Sequence, residues 1–361
     1  FYLLGGYLAL LLALQGRSWM IAVAVTCWAL ALATKLQVLP FWALSLALPL
    51  AVAAGQRRWK PAGSLLIGLL GSYAGAKLLG AAWHWFIRDH TVAGTPVSGL
   101  LTVTAVVTRP TIRVTAIILV CLFALPTFLG LAYAARRFVA QRGLAAADVE
   151  RDIVRLALLA LAGGWLVWYV ALSAAWLRYL FPAVFVGSMF AAALLQTLTT
   201  EFNLKTTLQC AASEIARLRM SRQGAGAMLA ILLIALAFTS TLVSLHWAYF
   251  VNRDLSVVRA AEYLNSEIEP DALIETYNSE LFLLLNRDYH YPPDQVHVEL
   301  QRRALDGAGV VIPYDPLAAD PDYLVVGPVS RSWRLYDPVI ASGAFRLRHV
   351  EGQYDIYERV R

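Results

Sequence analysis

The feature that most constrains this chain is a series of uncharged runs of membrane length. Residues 18–34 carry no charge and residues 36–56 carry none, so two apolar segments meet at one lysine, Lys35. Further uncharged runs occupy 114–135, 156–177, 179–200 and 224–252. Each approaches the roughly 20 residues that a helix needs to cross a bilayer. Residues 1–15 add a shorter run, and 60–83 another interrupted by Lys77, so about eight helices are expected. With 59% hydrophobic and only 15% charged residues, the chain is read as an α-helical polytopic membrane protein. Phe1 opens inside an apolar run, which suggests a fragment whose N-terminal helices lie upstream. Cys27 and Cys121 fall in apolar runs and Cys210 in a basic segment, so no disulfide framework is expected.

Charge assigns the sides. Short connections rich in Lys and Arg mark the cytoplasmic face, and here every second connection is basic: Arg17; then Arg57, Arg58 and Lys60; then Arg136, Arg137 and Arg142; then Lys205, Arg217, Arg219 and Arg222. That alternation puts the Lys35 turn, the loop 83–113, the corner 176–179 and everything after His246 outside the cytoplasm. Aromatic residues gather where helices exit, at Trp83, Trp85 and Phe86, at Trp165, Trp168, Tyr169 and Trp176, and at Trp247, Tyr249 and Phe250. They are read as an interfacial belt. Residues 208–222 read as an interfacial amphipathic helix.

Beyond Phe250 the composition changes. Residues 247–361 hold eleven arginines, no lysine and eighteen acids, leaving 19 basic and 6 acidic side chains to the first 246 residues. The net +6 of the whole chain therefore hides a basic membrane half, 1–250, and an acidic tail, 251–361. The tail is predicted to be a small extracytoplasmic α/β domain. Helices are expected over 255–268, 279–285 and 298–305, and strands over 272–277, 323–326, 345–350 and 354–360. Gly327-Pro328, Asp337-Pro338 and Ser342-Gly343 read as turns. Tyr277, Asn278 and Glu280, on the first strand-to-helix turn, are expected to be exposed enough to bind, or to serve as an ordinary cap.

Of the 19 basic residues in the membrane half, six fall on the outward side or in the outward third of a helix: Lys35, Lys77, Arg88, Arg109, Arg113 and Arg178. Only Asp89 opposes them. Such an excess implies an anionic guest, and a lipid phosphate at the outer interface satisfies both charge and depth. Arg178 can fork onto a phosphate, whereas lysine acts as a point charge. Arg109 and Arg113 flank Pro110 at a helix start, as anchors do. Asp89 is expected to pair with Arg88 or another nearby cation. His84 and His90 share its loop, a set that leaves room for a divalent metal ion, although no histidine spacing typical of zinc occurs. No phosphate-binding loop, dinucleotide turn or serine elbow is present, and the basic clusters lack the context for nucleic acid.

Three places carry a resemblance. Ala31-Leu32-Ala33-Thr34-Lys35 resembles a Leu-Thr-Lys helix end, Arg178-Tyr179 with Pro182 an Arg-Tyr-apolar-Pro helix start, and Asp322-Tyr323-Leu324-Val325-Val326 with Tyr354-Asp355-Ile356-Tyr357 a pair of closing strands. Together they are similar to the C-terminal part of GT-C membrane glycosyltransferases of the dolichyl-phosphate-mannose protein mannosyltransferase type (glycosyltransferase family 39-like), the group that holds the bacterial lipid A aminoarabinose transferases. The resemblance implies transfer of a sugar from a polyprenyl-phosphate donor to a lipid, glycan or protein acceptor on the outer face of a bacterial plasma membrane. It places the catalytic carboxylate in a loop upstream of Phe1, so no base is nominated. On this reading Lys35 and Arg178 hold the donor phosphate, Lys77, Arg88 and Arg109 assist, and Tyr179, His84, Asp89 and His90 line the site. The rival readings are an oligosaccharide ligase or polymerase of the same superfamily, and a transporter or flippase for anionic lipid-linked sugars. The last should show internal repeats or broken helices in both halves.

Overall fold

The computed structural model describes residues 1–87, 106–141, 144, 148–199, 201–217, 221–251, 254–306 and 312–361. The chain divides into two compact units, a helical one ending at Leu242 and a second comprising Val243–Arg361.

The helical unit contains α1 (Tyr2–Leu14), α2 (Met20–Thr34), α3 (Leu39–Gly55), α4 (Trp59–Ile87), α5 (Pro110–Phe123), α6 (Leu125–Ala140), α7 (Val149–Ala171), α8 (Leu177–Leu198) and α9 (Leu204–Arg217), and most of α10 (Arg222–His246). Five stretches among the described residues are long and apolar enough to cross a membrane, six if α5 and α6 form one span. The architecture is thus compatible with a multi-pass membrane protein. Residues 1–15, read as a shorter run, form the 13-residue α1, but the reading of 18–34 as near spanning length needs correcting. With 15 residues α2 is about 22 Å long, short of the ~30 Å hydrocarbon core.

A larger departure concerns residues 114–135, expected to form one helix. They instead belong to α5 and α6, which meet at 87°. The physical cause is Pro126. In a continuous helix it could not donate to the Leu122 carbonyl and its ring would collide with that carbonyl, and the chain leaves the helical region at Ala124 (φ −129°, ψ 7°).

Packing within the unit relies on small residues that let helices approach closely, as in membrane proteins generally. Trp28, fully buried, donates its indole N–H to the Leu3 carbonyl at 3.1 Å, and a Cβ at Gly6 would collide with its ring. On α6 a Cβ at Gly130 would run into the Ala191 backbone of α8. Thr127 lies beside Gly187 and Tyr133 bonds Thr197 at 3.3 Å, so α6 and α8 run parallel.

The second unit contains α11 (Ser256–Ser266), β1 (Ile274–Thr276), β2 (Tyr289–His290), α12 (Asp294–Asp306), β3 (Tyr323–Val326), α13 (Pro328–Trp333), α14 (Asp337–Ala341), β4 (Phe345–Glu351) and β5 (Tyr354–Arg359). Its sheet order is β2-β1-β3-β5-β4. The first three strands are parallel, and β5 runs antiparallel to both β3 and β4. Strand β3 is buried on both faces. Tyr323 and Val325 join the α11 side with Leu264 and Ile274, while Leu324 and Val326 join Leu300, Leu335 and Tyr336 on the other. Both X-Pro pairs expected as turns start helices instead, Pro328 at the first helical position and Pro338 at the second, where a missing N–H costs no intrahelical bond.

Candidate functional site

Short connections fix which helix ends lie together. The chain reverses at Lys35 and again at Gln56–Arg58, so α2 and α4 run in the same direction. Lys35 itself is extended (φ −150°, ψ 90°) between α2 and a single 3-10 turn, Leu36–Val38, and its side chain is exposed. Two turns of helix later an aromatic chain begins. Phe41 stacks on Trp165 at 4.3 Å and lies 5.5 Å from Trp168, and Trp168 lies 5.8 Å from Tyr179. Phe41 is near the start of α3, the two tryptophans are in the last two turns of α7, and Tyr179 opens α8. The Lys35 turn and the Arg178 corner therefore sit at the same end of the helical unit.

The α7–α8 corner is heavily tied. Trp165 donates to the Tyr179 carbonyl at 2.8 Å, Tyr169 to Ala175 at 3.2 Å, and Ser173 back to Tyr169 at 2.9 Å. Arg113, from the start of α5, donates to the carbonyls of Tyr169 (3.3 Å), Val170 (2.7 Å) and Ser173. Those carbonyls lie in and just beyond the last turn of α7, where the helix leaves acceptors short of intrahelical donors and a cation is favoured. Arg113 is thus the anchor that its place beside Pro110 suggested.

Arg178 is exposed. Its guanidinium lies 4.4 Å from the Trp176 ring centroid and 5.3 Å from that of Tyr179. Aromatic faces attract a cation and steady its plane, which leaves the rim of N–H donors for an anion. Among the described residues no carboxylate pairs with Lys35, Lys77 or Arg178.

Lys77 is also exposed, with its ammonium 5.5 Å from the ring of Tyr73, one turn farther from the Lys35 end. Gly75 approaches Ala29 closely, so Lys77 stands about four residues, or ~6 Å, below the level of Lys35. Arg109 is half-buried at the start of α5. Arg88, Asp89 and His90 lie outside the described residues, as does the side chain of His84. No group of three His, Cys, Asp or Glu among the described residues is placed to hold a metal ion.

In the second unit the expected exposure of Tyr277 and Asn278 is corrected, since both are buried. Asn278 packs at the carboxyl end of β1 against Ser330 (3.2 Å), and Glu280 accepts from Tyr354 at 2.6 Å. The reason is long-range: β3 and α13 close over a turn that is open in the local sequence. Beside it lies a cluster missed by sequence reasoning. Glu275, fully buried on β1, bonds His290 of β2 (2.6 Å), Tyr314 (2.6 Å) and Tyr336 (2.8 Å). Burial first and the carboxylate second push both phenols above their ordinary range and keep them as donors. Four residues scattered over 62 positions gave no local signal.

Comparison with known protein families, with curated proteins and with solved structures finds no match.

Proposed function

We propose that this chain belongs to a membrane glycosyltransferase that moves a sugar from a polyprenyl-phosphate donor to an acceptor on the extracytoplasmic face. Supporting this reading above all is the pair of exposed cations, Lys35 and Arg178, carried at one end of the helical unit with no carboxylate partner among the described residues. The departing polyprenyl phosphate gains charge as the glycosidic bond breaks. Fixed cations in a water-poor setting stabilise that developing charge better than mobile solvent does. Arg178, steadied against Trp176 and Tyr179, suits a forked grip on two phosphate oxygens, and Lys35 suits a point contact. The GT-C likeness carried by Lys35, Arg178-Tyr179 and Pro182 points the same way.

The test is sugar transfer in membranes or proteoliposomes supplied with polyprenyl-phosphate-linked sugars. Lys35→Ala and Arg178→Ala should each lower turnover by about 100-fold or more at unchanged protein level, a loss of the size seen when one charge-stabilising group is removed. Near-normal turnover in both variants would sink the assignment. A transporter for the same lipids is the second reading, favoured by the 87° break between α5 and α6, since broken spans recur at transport sites. Donor lipid crossing the bilayer without glycosylated product would select it.

A further inference from the structure

A cavity of about 620 Å³ that the proposed reaction leaves unused opens between α6, α7 and α8. It lies at the end of the helical unit away from Lys35, because it uses the first half of α7 and the last half of α8. All three walls grade the same way. At the start of α7, the N-cap residue Asp148, then Asp152 and Arg155, give way to Leu156 and Leu159. On α8 and the turn after it, Glu201 and Gln196 give way to Ala193, Phe190 and Met189. On α6, Gln141 and Arg137 lie at the polar end. From Met189 to the end of α8 at Leu198 is nine residues, about 14 Å of helix, with Glu201 in the turn just beyond, so a charged chamber opens onto an apolar trough.

The chamber holds two guanidiniums and three carboxylates. Arg155 pairs with Asp152 at 3.3 Å, Arg151 beside the chamber pairs with Asp148 at 3.6 Å, and Gln196 donates to Glu201. Among the described residues Arg137 has no carboxylate partner. A purely anionic head would face the three carboxylates, and a purely cationic head the two guanidiniums. A zwitterion satisfies both, provided its cation can donate hydrogen bonds.

We propose that this cavity binds a zwitterionic phospholipid with a primary ammonium head. Its phosphate meets Arg137, its ammonium meets Glu201, and one acyl chain lies against Leu156, Leu159, Met189 and Phe190. A quaternary ammonium has no N–H to give the carboxylates and binds less well.

The experiment is native mass spectrometry of the delipidated full chain titrated with phosphatidylethanolamine, phosphatidylcholine and phosphatidylglycerol of identical acyl chains. Phosphatidylethanolamine should be retained about tenfold better than the other two, a difference readily resolved as a shift in midpoint. Arg137→Gln, at an exposed position, removes the phosphate contact and should weaken phosphatidylethanolamine binding, whereas Glu201→Gln should abolish the preference over phosphatidylcholine. Ala193→Trp, which fills the trough, should weaken all three lipids, with helical content by circular dichroism as the folding control. Equal binding of phosphatidylcholine, preference for phosphatidylglycerol, or unchanged phosphatidylethanolamine binding in Arg137→Gln each overturns the proposal. Sugar transfer plays no part in this readout, so its outcome is separate from that of the proposed function.

Discussion

Single residues here are decided by what they are paired with. Arg113 and Arg178 look alike in the sequence, each an arginine at the start of an apolar run. In the structure Arg113 is consumed by three carbonyls of α7 and its turn, while Arg178 lies exposed against two rings. Glu275 makes the same point in the second unit. Its carboxylate is fully buried and accepts from His290, Tyr314 and Tyr336. A charged acceptor of this kind contributes more than a neutral one, and its loss leaves buried donors unpaired. Glu275→Ala should therefore destabilise the tail by about 3 kcal/mol or more, read as faster hydrogen exchange across β1 and β3. Protection equal to that of the unaltered chain would show the cluster to be dispensable.

Among the elements, the α7–α8 corner is the one on which the proposed phosphate grip depends. Its direction is set by Arg113, by the Trp165 bond to Tyr179 and by the Val107 amide on Leu172 at 2.6 Å. Removing Arg113 strips the α7 terminus of its cation and leaves carbonyls without donors. Arg113→Ala should accordingly loosen the corner and lower transfer although Arg178 is intact, whereas Arg109→Ala should have a smaller effect. The check is protease or hydrogen-exchange susceptibility at 172–178 beside the transfer assay; an unchanged corner in Arg113→Ala contradicts this account. The break between α5 and α6 also belongs to this scale. One proline costs a continuous helix its local hydrogen bonding, and the bend lets α6 run alongside α8, where Gly130 and Gly187 permit close approach.

For the whole molecule the governing feature is the opposition of a basic helical half and an acidic tail. If basic connections set the orientation, the tail lies outside the cytoplasm. Gln353, exposed on the β4–β5 turn, is the place to test this. In a background with Cys27, Cys121 and Cys210 replaced by serine, Gln353→Cys should react with an impermeant thiol reagent on intact cells. Labelling that appears only after lysis reverses the topology. Ser330, which follows Gly327-Pro328 and looks like an exposed turn, would mislead, because it is 1% exposed and bonded to Asn278.

The sequence by itself determined the long apolar helices, the change of character near residue 250 and most strands of the tail. Those signals are local: a helix or strand writes its period into adjacent residues, and lipid demands an uncharged run. It also singled out Lys35 and Arg178, because isolated charges beside apolar runs stand out. Only the tertiary structure decided that one expected helix breaks at Ala124, that Arg113 caps α7, that Asn278 is enclosed and that Glu275 gathers three partners. Each of these depends on which distant groups are brought within hydrogen-bonding distance, and such pairings, unlike periodicity, leave no mark on neighbouring residues.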